Sequence, residues 1–406
     1  MKKLLVISLI LSIFTGCSLG LKGKLTIYSY RPEFSRALKK VIEAFNKQHK
    51  LVEIVIDEVR NDAMPILDAR FRNETAPDIL MVPNYKKIKE YAKDGYIKDL
   101  SEMKYNTKVG NNLSKGYKYN EKIYGFPMNV RSFGIIYNKD IFDKNNLGIP
   151  KTAEELRHVC LVLANNGVTP FAPSIKDSWP LGFIYAMGHA AIMENNEAAW
   201  IESMNTGIGS FKSSKADGIF NILNLYRDNS GVKISDSTYR SQTADFAEGK
   251  AAMIIQNFQS YNMIKSIKNG RYGYFAIPFM DEGTPRLFMD VETVLAVNAK
   301  LKKTKIAAAF LEFLSSNEAQ IIIMKESTII PPFKNTPIDN KDKIYSDLYS
   351  YINNDMTMPW TFNKWPVSVF ESSKSIIAEY MTGKRNQSEV YEKMDEIWGR
   401  SVAKKK

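Results

Sequence analysis

Cys17 has the setting of a thiol that is to be modified. It follows Lys2 and Lys3, an apolar run over residues 4–14, and the small residues Thr15 and Gly16. A positive start, a short apolar stretch and small residues before a cysteine make a bacterial export signal that ends in a lipidation site. The apolar run is well short of the ~20 residues that a spanning helix needs. Cleavage after residue 16 frees a thiol and an amine that can both carry lipid. Residues 1–16 are therefore expected to be a signal peptide, and Cys17 an anchor in the cell membrane, with the body facing outside the cytoplasm. Phe14 stands where such sites usually carry leucine. The alternative is a plain secretory signal in which Cys17 is incidental.

Beyond Cys17, groups that could drive a reaction are sparse. The three histidines, His49, His158 and His189, have no metal-ligand spacing. The chain holds no HExxH, GxSxG, Walker A or CxxC pattern. Cys160 sits in the apolar segment 159–163 and reads as inert core, with no partner for an intrachain disulfide once Cys17 is lipidated. These features predict no enzyme activity, no cofactor and no metal. The net charge of +12 is dispersed along the chain, as on solvated lysine faces. A nucleic-acid binder would gather it with aromatics on one groove, so no nucleic acid is expected as partner. With 44% hydrophobic and 25% charged residues, the body should be globular, and it is too long for one ordinary core. Two lobes are expected.

The elements that must position any site alternate. Residues 25–28 read as a strand, and Arg31-Pro32-Glu33 opens a helix whose face carries Phe34, Leu38, Val41, Ile42 and Phe45. A strand at 52–56, a helix at 63–72 and a buried strand at 79–82 follow. Alternation of this kind predicts a mostly parallel sheet covered by helices. Ligands then sit beyond the carboxyl ends of the strands, which points to Tyr28-Ser29-Tyr30-Arg31 and to Asn84-Tyr85, with Tyr28, Arg31 and Asn84 as the candidate contacts. Further strands are expected at 133–137, 251–255, 272–277 and 293–297. Thr152 reads as the N-cap of the next helix. Residues 179–226 are mainly helical, 306–324 form one long helix, and 373–398 are helical.

Several phrases then fall into one order. Ile123-Tyr124-Gly125-Phe126-Pro127 is followed by Ile136-Tyr137-Asn138-Lys139-Asp140-Ile141-Phe142, and by Phe246-Ala247-Glu248-Gly249-Lys250-Ala251-Ala252-Met253. Pro77-Asp78-Ile79 precedes them, and Ala308-Ala309-Phe310-Leu311-Glu312-Phe313-Leu314 comes after. The ordered set resembles the extracellular solute-binding proteins of family 1, the receptors of ABC importers that include maltose-binding protein. The resemblance implies an α/β fold of the periplasmic-binding-protein-like type II, with two lobes joined by a hinge and a ligand cleft between them. Carried onto this chain, one lobe is residues 25–130 plus 289–334, and the other is 131–288 plus 335–406. It also implies a small-molecule solute, an ABC permease as partner, and a monomer.

A cleft for sugars needs aromatic platforms for C–H faces and polar groups for hydroxyls. By the resemblance, Trp179 stands at a cleft wall. Asn257 and Phe258 follow the Gly-Lys-Ala-Ala-Met phrase, where relatives often carry glycine and tryptophan. Trp360, Phe362 and Trp365 cluster in a proline-flanked loop where relatives place stacking aromatics. Arg131 lies at the first crossover, with Asp290 and Glu292 at the return crossover. Arg131 either clamps the solute or pairs with one of those carboxylates. The expected solute is a sugar or short oligosaccharide. The runner-up is a charged solute such as a polyamine or glycerol phosphate, and a lipid-anchored glycoside hydrolase is a distant third.

Overall fold

The computed structural model describes residues 20–193, 196–213, 215–231, 234–338 and 342–403. Cys17 and the signal segment 1–16 lie outside the described residues.

Strands β1 (Lys22–Ser29), β2 (Leu51–Glu58) and β3 (Ile79–Pro83) run parallel in the order β2-β1-β3. The helices Pro32–Gln48 and Ala63–Arg72 connect them. Pro32 lies in the first turn, where its missing N–H costs nothing and its fixed φ suits a helix. The apolar stripe of this helix, Phe34 to Phe45, is buried as its spacing predicts. A short hairpin follows, β4 (Lys118–Tyr119) with β5 (Lys122–Ile123).

Two long strands hold the molecule together. β6 (Phe126–Asn138) has 13 residues. Strands β7 (Thr169–Phe171), β8 (Ala251–Asn257) and β9 (Tyr272–Phe275) follow it along the chain before β10 (Leu287–Val297), which has 11. At about 3.3 Å per residue each long strand reaches roughly 35–45 Å, enough to serve two lobes. β10 pairs antiparallel with β3 at one end and with β6 along its length. The far end of β6 pairs with β8 and β9, and β7 joins β8 in parallel. β11 (Thr357–Met358) adds beside Leu287 and Phe288. One mixed sheet, β2-β1-β3-β10-β6-β8-β7, therefore runs through both halves. The expectation of strands at 133–137 and 293–297 caught only the ends of β6 and β10. Asn129, Arg131, Asp290 and Glu292 break the apolar run, so the middle of both strands reads as a connection.

Two buried clusters flank this sheet. One gathers Val41, Leu80, Val294 and Phe310, and extends over Ile254, Tyr274 and Leu348. The other gathers Ile135, Leu163, Ile184, Ile255, Ile377 and Trp398.

Two helical expectations are corrected. Residues 306–324 are not one helix but two, Thr304–Leu314 and Asn317–Glu326, bent by 67°. Ser316 starts the second, its hydroxyl accepting from the Ala319 N–H at 3.3 Å. The C-terminal helix is likewise split into Val367–Met381 and Gln387–Ala403, with Gly383 between them at φ +73°. Thr152 caps its helix by accepting from the Glu155 N–H at 3.0 Å. No single helix among the described residues is long and apolar enough to cross a membrane.

Candidate functional site

The floor of the site is a defect in the central strand pair. Val291 pairs with Val130 and Thr293 with Asn129, which leaves Glu292 as an extra residue. A bulge of this kind bends the strand and re-aims side chains. The Glu292 carboxylate accepts from Asn129 Nδ2 at 3.0 Å and lies 2.8 Å from Arg131 Nε and 3.2 Å from an Arg31 terminal nitrogen. Arg31 also donates to the Thr293 hydroxyl at 3.3 Å. The disturbed backbone is satisfied locally. The Thr293 N–H donates to Asn129 Oδ1 at 3.1 Å, the Asn84 N–H donates to the Glu292 carbonyl at 3.2 Å, and the Asn84 side chain donates to the Val291 carbonyl.

Two guanidinium groups thus bracket one carboxylate where the lobes meet. Arg131 pairs with Glu292 rather than Asp290. Its side chain is 45% exposed, and its two terminal nitrogens make no hydrogen bond among the described residues.

Asp290 lies two positions back along β10 and is only 2% exposed. One of its oxygens accepts from the Tyr85 hydroxyl at 2.5 Å and from the Trp360 backbone N–H at 3.3 Å. The other oxygen, and the indole nitrogen of Trp360, are buried without a partner among the described residues. Burial pushes the Asp290 carboxyl up to about 7, against the pull of these donors and of Lys364. Burial and the facing carboxylate also hold the Tyr85 phenol well above its usual value. Tyr85 adopts φ +55°, a conformation that side-chain-bearing residues rarely take. Its N–H donates to the Gly116 carbonyl at 2.5 Å. A Cβ on Gly116 would stand 2.9 Å from Asn84 Nδ2, so a side chain there would have to displace the Asn84 amide.

An aromatic wall rises beside this floor. Phe183 stacks on Phe133 with centroids 5.4 Å apart, and Trp179, one turn earlier on the same helix, meets Phe183 edge-on at 5.8 Å. Trp360 approaches Phe183 at 5.4 Å and stacks on Phe362. Tyr239 closes on Trp179 at 5.9 Å. Trp179, Phe183, Tyr239 and Trp360 are each half-buried. Part of this wall is open to a solute.

The structure does not bring all the expected residues here. Tyr28 is fully buried and its hydroxyl is spent on the Ala63 carbonyl at 2.6 Å. Phe258 is 2% exposed and packs between Tyr274 and Tyr345 on the other side of the sheet. Trp365 is a core residue, wedged against His189, Trp200, Phe211 and Trp398. Each is a large aromatic that its own lobe needs for packing. Asn257 turns inward, donating to Gln256 Oε1 and accepting from the Ser260 N–H. Arg31, Asn84, Arg131, Trp179, Asp290, Glu292 and Trp360 do converge, and Phe362 supports Trp360 from a buried position. Tyr85, beside Asn84 at the strand end the sequence points to, reaches Asp290, whereas Asn129, Phe183, Tyr239 and Thr293 were missed. The i, i+4 spacing of Trp179 and Phe183 could have flagged one of them. Among the described residues no three or more His, Cys, Asp or Glu side chains gather as metal ligands would.

One sheet shared by two α/β lobes, with polar residues at the shared strands and aromatics to one side, is the architecture of a type II solute receptor. The sequence match agrees. Residues 28–321 fit the family described as bacterial extracellular solute-binding protein, and the chain belongs to that family. The multiple sugar-binding protein of Streptococcus mutans is 25% identical over 309 residues, 73% of each chain. The melibiose/raffinose/stachyose-binding protein MelE of Bacillus subtilis is 24% identical over 88% of this chain and 86% of its own. Among solved structures, apo RafE from Streptococcus pneumoniae superimposes with a TM-score of 0.78 at 20% identity, covering 94% of this chain and 99% of RafE. RafE in complex with raffinose gives 0.69 at 22% identity, over 94% of this chain and all of the other. At these identities the structural likeness speaks for the fold.

Proposed function

We propose that this protein is the carbohydrate receptor of an ABC importer. It captures a sugar or short oligosaccharide between two lobes and hands it unchanged to the permease. The observation that carries the reading is the pairing of the half-open Trp179–Phe183–Trp360 wall with the Arg31–Glu292–Arg131 floor. Aromatic faces suit the C–H faces of a pyranose, and the floor offers both donors and acceptors for hydroxyls. The sugar-binding names of the relatives support the same class. The lobes are residues 25–130 plus 289–334 and 131–288 plus 335–406, hinged on β6 and β10. Closure buries the solute, and the permease reads the closed form. A lipid on Cys17 keeps the receptor, a monomer, at the outer face of the cell membrane.

A thermal-shift screen tests this. Raffinose, melibiose, stachyose and maltooligosaccharides are offered beside spermidine and glycerol phosphate. At least one carbohydrate should raise the melting temperature saturably, because a ligand that binds only the native state stabilises it by mass action. A shift with the amine or the phosphate alone would overturn the sugar assignment. Conversion of the sugar would overturn the receptor assignment.

A further inference from the structure

The amino ends of β1–β3 form the face of their lobe that points away from the interlobe site. β1 runs from Lys22 to Ser29, and Arg31, just past its carboxyl end, already belongs to the arginine floor. Lys22 therefore stands roughly 25 Å from that floor. The far end of β10 reaches the same face, because Val297 pairs with Ile79 at the start of β3. Here the fold gathers cations that the sequence scatters. Lys24 of β1, Arg72 at the end of the helix Ala63–Arg72, and Lys300, Lys302 and Lys303 just beyond β10 line one open basin of about 710 Å³. Lys22 and Lys50 lie at its side, since Lys22 is in register with Leu51.

The carboxylates of this face are already engaged. Glu53 pairs with Lys24 and Glu74 with Lys300, each at 2.8 Å, and Asp78 accepts from the Thr26 N–H at 2.8 Å. Lys22, Lys50, Arg72, Lys302 and Lys303 are exposed and form no ion pair among the described residues. The local sequence also runs against the charge preference of a helix. Arg72 suits the negative end of its own helix, but the lysines beyond β10 do not suit theirs. Lys303 is the N-cap of the helix Thr304–Leu314 and its side chain makes no cap, Lys302 precedes it, Lys305 follows, and the first turn holds no acid. Packing does not explain Lys302 and Lys305, which are both exposed. The position of the tether adds a separate observation. Lys22 comes five residues after Cys17, so no more than about 17 Å of chain separates a lipid there from this face.

We propose that this face is a membrane-docking surface, which seats the β1–β3 lobe on the phosphate headgroups of an anionic bilayer and leaves the other lobe outermost. The posture rests on the anchored-receptor reading above, whereas the affinity of the face for headgroups does not. A bilayer surface need not be enclosed by the protein. Exposed lysines reach its phosphates, and each contributes about fivefold in affinity near an anionic membrane. The lipid confines the chain and raises the effective concentration of headgroups, and the basic face then sets the orientation.

The probe is a vesicle of phosphatidylcholine with about one-third phosphatidylglycerol, compared with phosphatidylcholine alone, at about 0.05 M salt. The protein is the chain from residue 18 onward without lipid, so the face is measured without the anchor. It should co-sediment with the acidic vesicles only and be released at about 0.5 M salt by screening. Lys22→Gln, Arg72→Gln and Lys302→Gln together remove three exposed, unpaired cations and should cut vesicle affinity about a hundredfold. Lys144→Gln, Lys268→Gln and Lys384→Gln remove as much charge from the other lobe and should change it by no more than about threefold. An affinity unchanged in the first triple variant, or an equal loss in both, overturns the face. Capture by soluble polyphosphate with none by acidic vesicles overturns the bilayer as partner. Orientation is read with a polarity-sensitive dye, which buried Cys160 does not take up. A dye at position 51 (Leu51→Cys) should shift to the blue on acidic vesicles, and one at position 208 (Ile208→Cys), exposed on the other lobe, should not. A shift at both positions, or at 208 alone, overturns the posture. Both triple variants should keep the thermal shift with sugar, and vesicle capture needs no lipid on Cys17, so failure of this inference is distinguishable from failure of the receptor reading.

Discussion

Replacing Asp290 by asparagine should alter how stability depends on pH. The carboxyl is buried on β10, and its pKa rises from 3.8 to about 7. A group that binds its proton more tightly folded than unfolded adds stability while protonated, and that contribution disappears as pH rises through the folded value. The window therefore runs from about 4 to about 7. Full loss of the proton costs about 4 kcal/mol, at about 1.4 kcal/mol per pH unit. Between pH 5 and pH 8 the change is about 3 kcal/mol. Asparagine keeps an acceptor for the Tyr85 hydroxyl and the Trp360 N–H but cannot ionise. The wild-type profile alone is a poor test, because burial drives His189 down to about 3 and makes stability fall in the acid direction. The difference between Asp290→Asn and wild type cancels that background. Urea unfolding followed by tryptophan fluorescence, at half-unit steps from pH 5 to 8, should show the variant gaining about 3 kcal/mol on wild type as pH rises. A difference that stays flat across this range would refute the buried, proton-holding state of Asp290.

Three further outcomes follow from the packing. Trp179→Ala should weaken binding of the carbohydrate identified by thermal shift by about tenfold or more, measured by titration calorimetry, with little change in unfolding midpoint because the side chain is half-open. Trp365→Ala should do the reverse, costing about 3–5 kcal/mol of stability in urea while the folded fraction binds sugar as wild type does. Glu292→Gln leaves Arg31 and Arg131 facing each other across an uncharged amide. It should cost about 1–3 kcal/mol, and raising salt from 0.05 to ~0.5 M should recover part of this by screening the two cations.

The sequence was most legible where burial is simple. The parallel β1–β3 unit and its helices follow from apolar spacing, because each strand and stripe faces one hydrophobic layer. The centre was the least legible. β6 and β10 each carry polar residues at their midpoints, where a sheet shared by two lobes is open to the cleft, so Asn129, Arg131, Asp290 and Glu292 look like connections. The bulge at Glu292 is invisible to any period-2 pattern. Aromatics were ambiguous for a different reason. Trp360 and Trp365 sit five residues apart in one loop, and only packing against Trp200, Phe211 and Trp398 assigns the second to the core. Tyr85 stands at a strand end that the sequence points to, but its reach to Asp290 depends on a backbone angle that sequence does not display.

The most direct test of a receptor that shuts on a sugar is small-angle scattering during an oligosaccharide titration, with the sugar recovered and weighed by mass spectrometry. The account predicts saturable compaction with at least one carbohydrate and recovery of that carbohydrate intact. An unchanged radius with every sugar, or compaction by spermidine or glycerol phosphate in their place, would contradict it.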